Sequence, residues 1–226
     1  MTLDKLIKKY GLWSKEVVAS KEKYVINEQA PTPYHRLLEH ILYFTPEQPF
    51  PGVFKHSYDL LVKEGLEPSQ DDIEAFAKSF LVYEGYDRFW RRAGKFLSAM
   101  IALWENNTHT KTFIRLDFSA ASKPVDYACI KLNNCSIQID GSVGSYCGMN
   151  SKECNILIQS NAGQSLGYKA EKTLFKVSGE TGTGLGAYAH ACSYFVRGTI
   201  AQISPYILSS CEVYNSGGSA HTKVFP

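Results

Sequence analysis

The stretch that decides the fold is residues 122–216, which repeats itself every nineteen residues without a gap. Its five copies read SKPVDYACIKLNNCSIQID (122–140), GSVGSYCGMNSKECNILIQ (141–159), SNAGQSLGYKAEKTLFKVS (160–178), GETGTGLGAYAHACSYFVR (179–197) and GTIAQISPYILSSCEVYNS (198–216). We name each copy a coil and each aligned position a column. Self-similarity at a fixed period of about 20 residues is typical of solenoids, in which each repeat stacks on the next.

The last part of every coil alternates between apolar and polar residues. Columns sixteen and eighteen are almost all apolar, whereas columns fifteen and seventeen are mostly polar. Column sixteen consists of Ile137, Ile156, Phe175, Tyr194 and Val213. Alternation with a period of two predicts a β-strand with one buried face. Equivalent strands stacked about 4.8 Å apart form a parallel sheet, so the sequence predicts a parallel β-helix.

Glycines recur in two columns of the repeat. Columns four and eight contain Gly144, Gly148, Gly163, Gly167, Gly182 and Gly186. We expect the chain to turn between faces of the solenoid at these columns. Glycine adopts positive φ there at no steric cost, so these six residues are the predicted turn glycines.

All six cysteines lie within the repeat, and four of them occupy column fourteen: Cys135, Cys154, Cys192 and Cys211. A metal site, a disulfide and a redox pair are the functional interpretations. Adjacent coils bring such residues within Cα range of a disulfide, but side chains in one column point the same way. Thr173 interrupts the column, and no CxxC or histidine cluster completes a zinc set. We therefore predict a buried column in which cysteine acts as a small hydrophobe.

Residues 1–108 show helical periodicity and no repeat. Apolar stripes at helical spacing run through Leu3, Leu6, Ile7 and Tyr10, through Leu37, Leu38, Ile41 and Leu42, and through Ile73, Phe76, Ala77, Phe80 and Leu81. The Pro-rich stretch 45–52 predicts a loop. Pro68 and Ser69 predict a helix start, with Asp71 and Asp72 in the first turn. The longest predicted helix covers residues 86–105.

That long helix directly precedes the repeat and carries a bulky apolar stripe. An open β-helix end exposes unpaired backbone groups and an apolar interior, so we predict that the helix caps the first coil. Between them, KTFIRLDFSA (111–120) alternates as a strand does. Shifted by nineteen residues, Leu116 aligns with Cys135 and Phe118 with Ile137, which predicts a degenerate first coil. The tail GSAHTKVFP (218–226) is predicted to be flexible.

The predicted architecture is α+β, with an α-helical cap in residues 1–108 and a parallel β-helix in residues 109–217. The left-handed β-helices of acyltransferases repeat in hexads of an apolar residue and glycine. Six does not divide nineteen, so we predict a right-handed helix and no acyltransferase activity.

Composition narrows the class of protein. The chain has 226 residues, of which 44% are hydrophobic and 20% charged, as in soluble globular proteins. No apolar run approaches the roughly 18 residues needed to span a bilayer. The first residues contain no continuous apolar core, so we expect no secretory signal and a cytoplasmic location. The net charge of +2 neither favours nor excludes an anionic partner.

Three further motifs have a functional and a structural interpretation. GETGTGLG (179–186) is similar to a phosphate-binding loop, but it lacks the Lys-Ser/Thr ending and the repeat already explains its main glycines. In YHRLLEH (34–40), His35 and His40 lie on different helix faces, so a His35–Glu39 ion pair is favoured over a metal site. A basic face of Arg88, Arg91, Arg92 and Lys95 on the capping helix is either its solvated side or a surface for nucleic acid or an acidic partner.

The second coil resembles the glycine-rich GXGXG repeat that occurs in one of the subunits of formylmethanofuran dehydrogenase and at the C-terminal end of the large chain of glutamate synthase. The matching residues are Gly141, Gly144, Tyr146, Gly148, Ile156 and Ile158, and in the fourth coil Gly179, Gly182, Gly186, Tyr194 and Val196. Column fourteen departs from the pattern, because it is usually glycine in the family and mostly cysteine here. The resemblance implies a structural element that holds catalytic parts apart, by analogy of fold alone.

No Ser-His-Asp set or pair of carboxylates stands out, so the sequence predicts no catalytic, cofactor-binding or metal-binding residue. The leading hypothesis is a structural or assembly protein that presents a β-helix surface to a protein partner or to itself, with Leu157, Phe195 and Tyr214 as candidate contacts. The alternatives are a nucleic-acid-binding or acidic-partner-binding module and a component of a redox enzyme complex. No membrane partner is expected.

Overall fold

Stacked parallel strands form the sheet that the periodicity predicts. In the computed structural model, the described residues are 32–44, 52–79, 89–108, 112–216 and 222–225. The strands are β1 (Thr112–Asp117), β2 (Cys135–Asp140), β3 (Asn155–Ile158), β4 (Leu174–Val177), β5 (Ser193–Val196), β6 (Glu212–Asn215) and β7 (Thr222–Phe225). They form one sheet in chain order, and β1 to β6 are parallel. The predicted stripe from Leu3 to Tyr10, residues 45–51 and Arg88 lie outside the described residues.

The nineteen-residue register is confirmed from β2 to β6. Each column-sixteen residue pairs with its equivalent in the next coil, beginning with Ile137 opposite Ile156. Columns fourteen, sixteen and, except in the last coil, eighteen are buried, which places one strand face in the interior of the solenoid. Isolated bridges also join the coils outside the strands, for example Ala162 with Thr181 and Lys152 with Glu171. The α+β solenoid fold is therefore correct, and its handedness stays a prediction.

The register of the first strand differs from the predicted one. β1 pairs with β2 through Leu116 opposite Ile139 and Ile114 opposite Ile137, an offset of 23 residues instead of nineteen. This offset aligns all six residues of β1 with all six of β2. The additional residues lie in the loop 118–124, because the next bridge, Val125 with Val143, has an offset of only 18 residues. The first coil is therefore degenerate in its length as well as in its sequence.

The C-terminal residues form a strand and not the predicted flexible tail. β7 pairs antiparallel with β6, with Val213 opposite Phe225 and Asn215 opposite Thr222. The Lys223 ammonium lies 2.8 Å from the Glu212 carboxylate. The physical reason is that β6 is the last coil strand, and its outer edge carries backbone groups that need partners.

The two glycine columns are required for different reasons. Column-eight glycines Gly148, Gly167 and Gly186 have φ between +67° and +68°, as predicted, and a Cβ there would also strike the packed interior. Column-four glycines do not have positive φ. A Cβ at Gly163 would lie 2.6 Å from the backbone carbon of Gly144. The turn explanation is thus wrong for column four, where close approach of successive coils excludes a side chain.

Four helices precede the sheet in the described residues: α1 (Pro33–Phe44), α2 (Gly52–Lys63), α3 (Gln70–Lys78) and α4 (Phe89–Thr108). The predicted start of α3 is confirmed, because Ser69 and Asp72 form a capping box. Helices and coils belong to one compact unit, Thr32–Pro226, and share one hydrophobic core. The predicted boundary at residue 108 therefore separates two kinds of secondary structure within one unit. None of the described helices is long and apolar enough to cross a membrane.

Helix α4 packs directly on the first coil. A Cβ at Gly94 would overlap the carbonyl oxygen of Asp126, so the helix backbone touches the coil backbone. The buried Ser98 hydroxyl donates to the Gly94 carbonyl at 2.7 Å and accepts the Ile130 N–H at 3.1 Å. The Glu105 carboxylate accepts the Asn133 N–H at 3.2 Å. These contacts close the N-terminal end of the solenoid.

Helix α3 covers the free edge of β1. Glu74 on this helix accepts the backbone N–H of Arg115 at 3.2 Å. No strand of the described residues lies on the other side of β1, so this bond satisfies a donor that an open edge would leave unpaired. The helices therefore cover both the first coil and the first strand.

Candidate functional site

The cysteine column lies in the solenoid interior, as predicted. Cys135 donates to the Cys154 sulfur, with the two Sγ atoms 3.4 Å apart, and all six cysteines are free thiols. Thr173 continues the column, and its hydroxyl donates to the Glu171 carbonyl at 2.9 Å. The hydrogen bond to Cys154 and burial raise the pKa of Cys135. The hydrogen bonds that raise the pKa of Cys135 and Cys192 lower the pKa of their partners Cys154 and Cys211, that of Cys211 to about 6. Burial therefore limits the access of reagents to the column, because all four thiols are at most 1% exposed.

The remaining two cysteines form a second buried pair. Cys129 and Cys147 are both fully buried, and the hydrogen bond to Cys147 and burial raise the pKa of Cys129. Glu105, from the end of α4, lies beside this region, and burial raises the pKa of its carboxyl. In the described part of the chain, no group of three His, Cys, Asp or Glu side chains has a geometry that could hold a metal ion.

The predicted basic face is not an exposed surface. Arg91 is exposed and lies 3.4 Å from the Asp126 carboxylate. Arg92 and Lys95 are only 9% and 8% exposed, and the Lys95 ammonium lies 4.2 Å from the ring centroid of Tyr127. The physical reason is that α4 is covered on almost every side: fourteen of its twenty residues are buried. The helix therefore lacks the solvated side that its sequence suggests.

The other two motifs have structural explanations. In GETGTGLG, the N–H groups of Gly182 and Gly186 donate to carbonyls of the preceding coil at 2.9 and 3.0 Å. These amides are thus already used and do not form a phosphate cradle. His35 contacts the hydroxyls of Thr32 and Ser79, each at 2.6 Å, and burial lowers its pKa. The Glu39 side chain of the predicted ion pair lies outside what the structure describes.

The outward face of the sheet carries two adjoining grooves. The first, of about 230 Å³, extends from Phe113 to Leu174, and the second, of about 490 Å³, extends from Leu174 to Arg197. Leu157 and Lys176 line both grooves. The predicted contact residues all lie on this face. They are half-buried, because neighbouring coils align them side by side: Leu157, Phe195 and Tyr214.

Aromatic side chains and a lysine lie next to one another on this face. The rings of Phe195 and Tyr214 stack with centroids 4.7 Å apart. Lys176 pairs with Phe195 across β4 and β5 and is exposed. Phe113, at the β1 end, is 56% exposed. We name the surface formed by these residues and the two grooves the sheet face.

A tyrosine ladder is a surface feature that the sequence interpretation missed. Tyr127, Tyr146, Tyr168, Tyr188 and Tyr206 follow one another with ring centroids 5.1, 5.9, 5.7 and 5.1 Å apart. The ladder was missed because its members change column, from six to nine and ten. One tyrosine per coil between columns six and ten was the available signal.

Tight turns bring tyrosines from different columns to the same side of the solenoid. The Met149 N–H donates to the Tyr146 carbonyl at 3.3 Å, and the Tyr168 N–H donates to the Ser165 carbonyl at 3.2 Å. Tyr146 has positive φ, as do Tyr127 and Ser165 in its column, and Tyr188 has positive φ, as does Lys169 in the preceding coil. Each turn therefore folds columns six to ten back on themselves, and a tyrosine at either end reaches the same side of the solenoid.

The chain matches no family model, no curated protein and no solved structure. The geometry of the sheet face, the tyrosine ladder and the coil ends is therefore the basis for assigning a function.

Proposed function

We propose that this protein is a non-catalytic structural or assembly protein that presents its sheet face to a partner protein. The observation that carries the proposal is the pair of adjoining grooves on an otherwise regular sheet. Their walls combine aromatic and aliphatic side chains with the exposed cations Lys176 and Arg197. Aromatic residues and arginine are enriched in protein interfaces, where apolar contacts supply affinity and charges supply orientation.

The chemistry of the sheet face indicates the kind of partner. Phe195 and Tyr214 form a flat aromatic surface, and Lys176 and Arg197 lie next to it in register. A complementary partner would pack apolar side chains against Leu157 and Phe195 and place carboxylates opposite the two cations, one of which, Lys176, lies between these residues. Such charge pairs mainly raise the association rate and select the partner.

The proposal is tested by affinity capture from native lysate with the full chain as bait. Phe195→Asp and Lys176→Glu alter the sheet face, and Val62→Asp alters a side chain on α2 that is 54% exposed. A specific partner should be retained by wild type and Val62→Asp and lost by both sheet-face variants. A protein that binds all four baits equally, or no specific partner at all, would contradict the proposal.

The alternatives have less support. Nucleic-acid or acidic-partner binding through Arg88, Arg91, Arg92 and Lys95 requires an exposed cationic face, and two of these side chains are buried. Membership of a redox enzyme complex rests on the resemblance to the GXGXG repeat alone. The steric need for glycine in columns four and eight is consistent with that resemblance.

Six free cysteines suit a reducing compartment such as the cytoplasm, where we propose that the protein acts.

A further inference from the structure

The last coil presents an exposed, uncharged surface at the C-terminal end of the solenoid. Tyr206 is 60% and Leu208 45% exposed. Residues 198–211 contain no Asp, Glu, Lys, Arg or His, whereas the corresponding columns of every other coil contain charged or histidine side chains. A neutral surface with exposed apolar side chains is unusual on the outside of a soluble protein.

Backbone groups at this end also lack the partner that other coils have. The column-three N–H groups of Val143, Ala162 and Thr181 donate to the following coil at 2.9, 2.8 and 2.9 Å. Ile200 occupies the same column in the last coil, and within the described residues no coil follows and no acceptor meets its N–H. Of the described residues, those of β7 cover this end on the sheet side, opposite β6.

The tyrosine ladder stops at the same end. The ring of Tyr206 stacks on that of Tyr188 with an interplanar angle of 8°. Tyr146, Tyr168 and Tyr188 each have a ring of the ladder on both sides. Among the described residues, Tyr206 has a ladder ring on one side. A second Tyr206 ring would continue the stacking pattern.

The opposite end of the solenoid is closed. Helix α4 contacts the first coil through Gly94 and Ser98, and Glu74 of α3 covers the edge of β1. A head-to-tail stack of copies would need two open ends on each copy. With only one open end, association through coil ends joins two copies and then stops.

We infer that two copies of this chain dock end to end through their last coils, and so form a two-fold symmetric dimer. A second copy fits this surface because it offers the same coil outline, backbone N–H and C=O groups, and no charged side chain in residues 198–211 that would repel its own copy. The interface would contain Tyr206, Leu208 and the Ile200 backbone from each protomer. It is separate from the sheet face of the proposed function.

Light scattering after size-exclusion chromatography of the full chain tests this dimer. Wild type should have the mass of two chains, with dissociation only on dilution. Leu208→Asp and Tyr206→Asp should each weaken the dimer by roughly 100-fold or more, because they bury an unpaired carboxylate. Val62→Asp, a matched control on α2, should remain dimeric. Monomeric wild type, open-ended filaments or unchanged dimers of both variants would overturn the inference.

Cross-linking tests the orientation of the two copies. All six native cysteines are buried, so a cysteine introduced at exposed Ser209 in the last coil is the reactive one. Ser209→Cys should form cross-linked dimers with a long bis-maleimide, and Lys55→Cys on α2 should not. Equal cross-linking of both variants would reject the end-to-end arrangement. Phe195→Asp should stay dimeric, which separates this inference from the proposed function.

Discussion

The Sγ atoms of Cys135 and Cys154 lie 3.4 Å apart in adjacent coils, and both side chains are almost completely buried. The contact is the first step of a column that Thr173, Cys192 and Cys211 continue. Threonine in the middle of the column shows that a small side chain with a hydrogen-bond donor fits this position. The column thus fills the narrow interior of the solenoid.

We predict that the thiols react slowly under native conditions. Hydrogen bonding and burial raise the pKa of Cys129, Cys135 and Cys192, whereas a hydrogen bond from Cys192 lowers the pKa of Cys211 to about 6. All of these thiols are enclosed, so burial keeps even the Cys211 thiolate away from a reagent. Titration with a thiol reagent should label fewer than one cysteine per chain in the folded protein and all six in denaturant. Rapid native labelling of two or more cysteines would show that the column opens or is redox-active.

Three glycine-to-alanine variants should separate backbone strain from close packing. Gly65→Ala tests positive φ alone, because no atom lies within 4 Å of the added Cβ; it should cost about 1–2 kcal/mol of unfolding free energy. Gly163→Ala tests close approach alone and should cost about 1–3 kcal/mol. Gly167→Ala combines both effects and should be the most destabilised in urea denaturation. If Gly65→Ala were the most destabilised, the role assigned to close packing would be wrong.

Ser98→Ala should loosen the helical cap. The substitution leaves the buried N–H of Ile130 without its acceptor and should cost about 1–3 kcal/mol. Thr108→Ala is the matched control, because the Thr108 hydroxyl donates to the carbonyl of Trp104 within the same helix. Hydrogen exchange at the Ile130 amide should accelerate only in Ser98→Ala. Equal acceleration in both variants would contradict a direct contact between helix and coil.

Glu105 should make stability depend on pH. Burial raises its pKa in the folded state, so the folded protein binds a proton more tightly than the unfolded chain. Its contribution is therefore most favourable below the unfolded pKa and declines as pH rises toward the folded pKa. Glu105→Gln cannot ionise, and its free energy of unfolding relative to wild type should rise as the pH increases from the ordinary glutamate pKa of about 4.3 through the raised pKa of the folded state. Urea denaturation of both proteins across this range measures the difference. Glu67→Gln, at an exposed residue, is the control. Parallel stability profiles for all three proteins would contradict the prediction.

The repeat made the strands and most of their register predictable. Each coil must place its column-sixteen residue inside, as Ile156 and Phe175 illustrate. One period therefore fixes every pairing from β2 to β6. Column four was assigned the wrong steric role, because sequence shows that glycine recurs but not how closely Gly163 approaches the coil before it.

Features that depend on contacts between distant elements were not predictable. Lys95 looks like a surface residue in the sequence, and its burial depends on helices and a coil that meet only in the fold. Thr222 and its neighbours form a strand because β6 offers an edge. The tyrosine ladder required the turn geometry that brings Tyr146 and Tyr168 together across three columns. The sheet face was anticipated through Phe195, but its grooves were not.

The loop 118–124 lengthens the first coil without changing how its strand pairs with the next coil. Its seven residues join Asp117 to Val125, whereas residues 141 and 142 alone join the equivalent Asp140 and Val143 in the next coil. The pairs on either side of the loop nevertheless stay in register. Residues 119, 120 and 122–124 of this loop are exposed. A corner that already accommodates extra chain is a natural place to insert a peptide tag or a small domain without disturbing the sheet. The same property would let relatives of this protein vary in coil length while they keep the same interior.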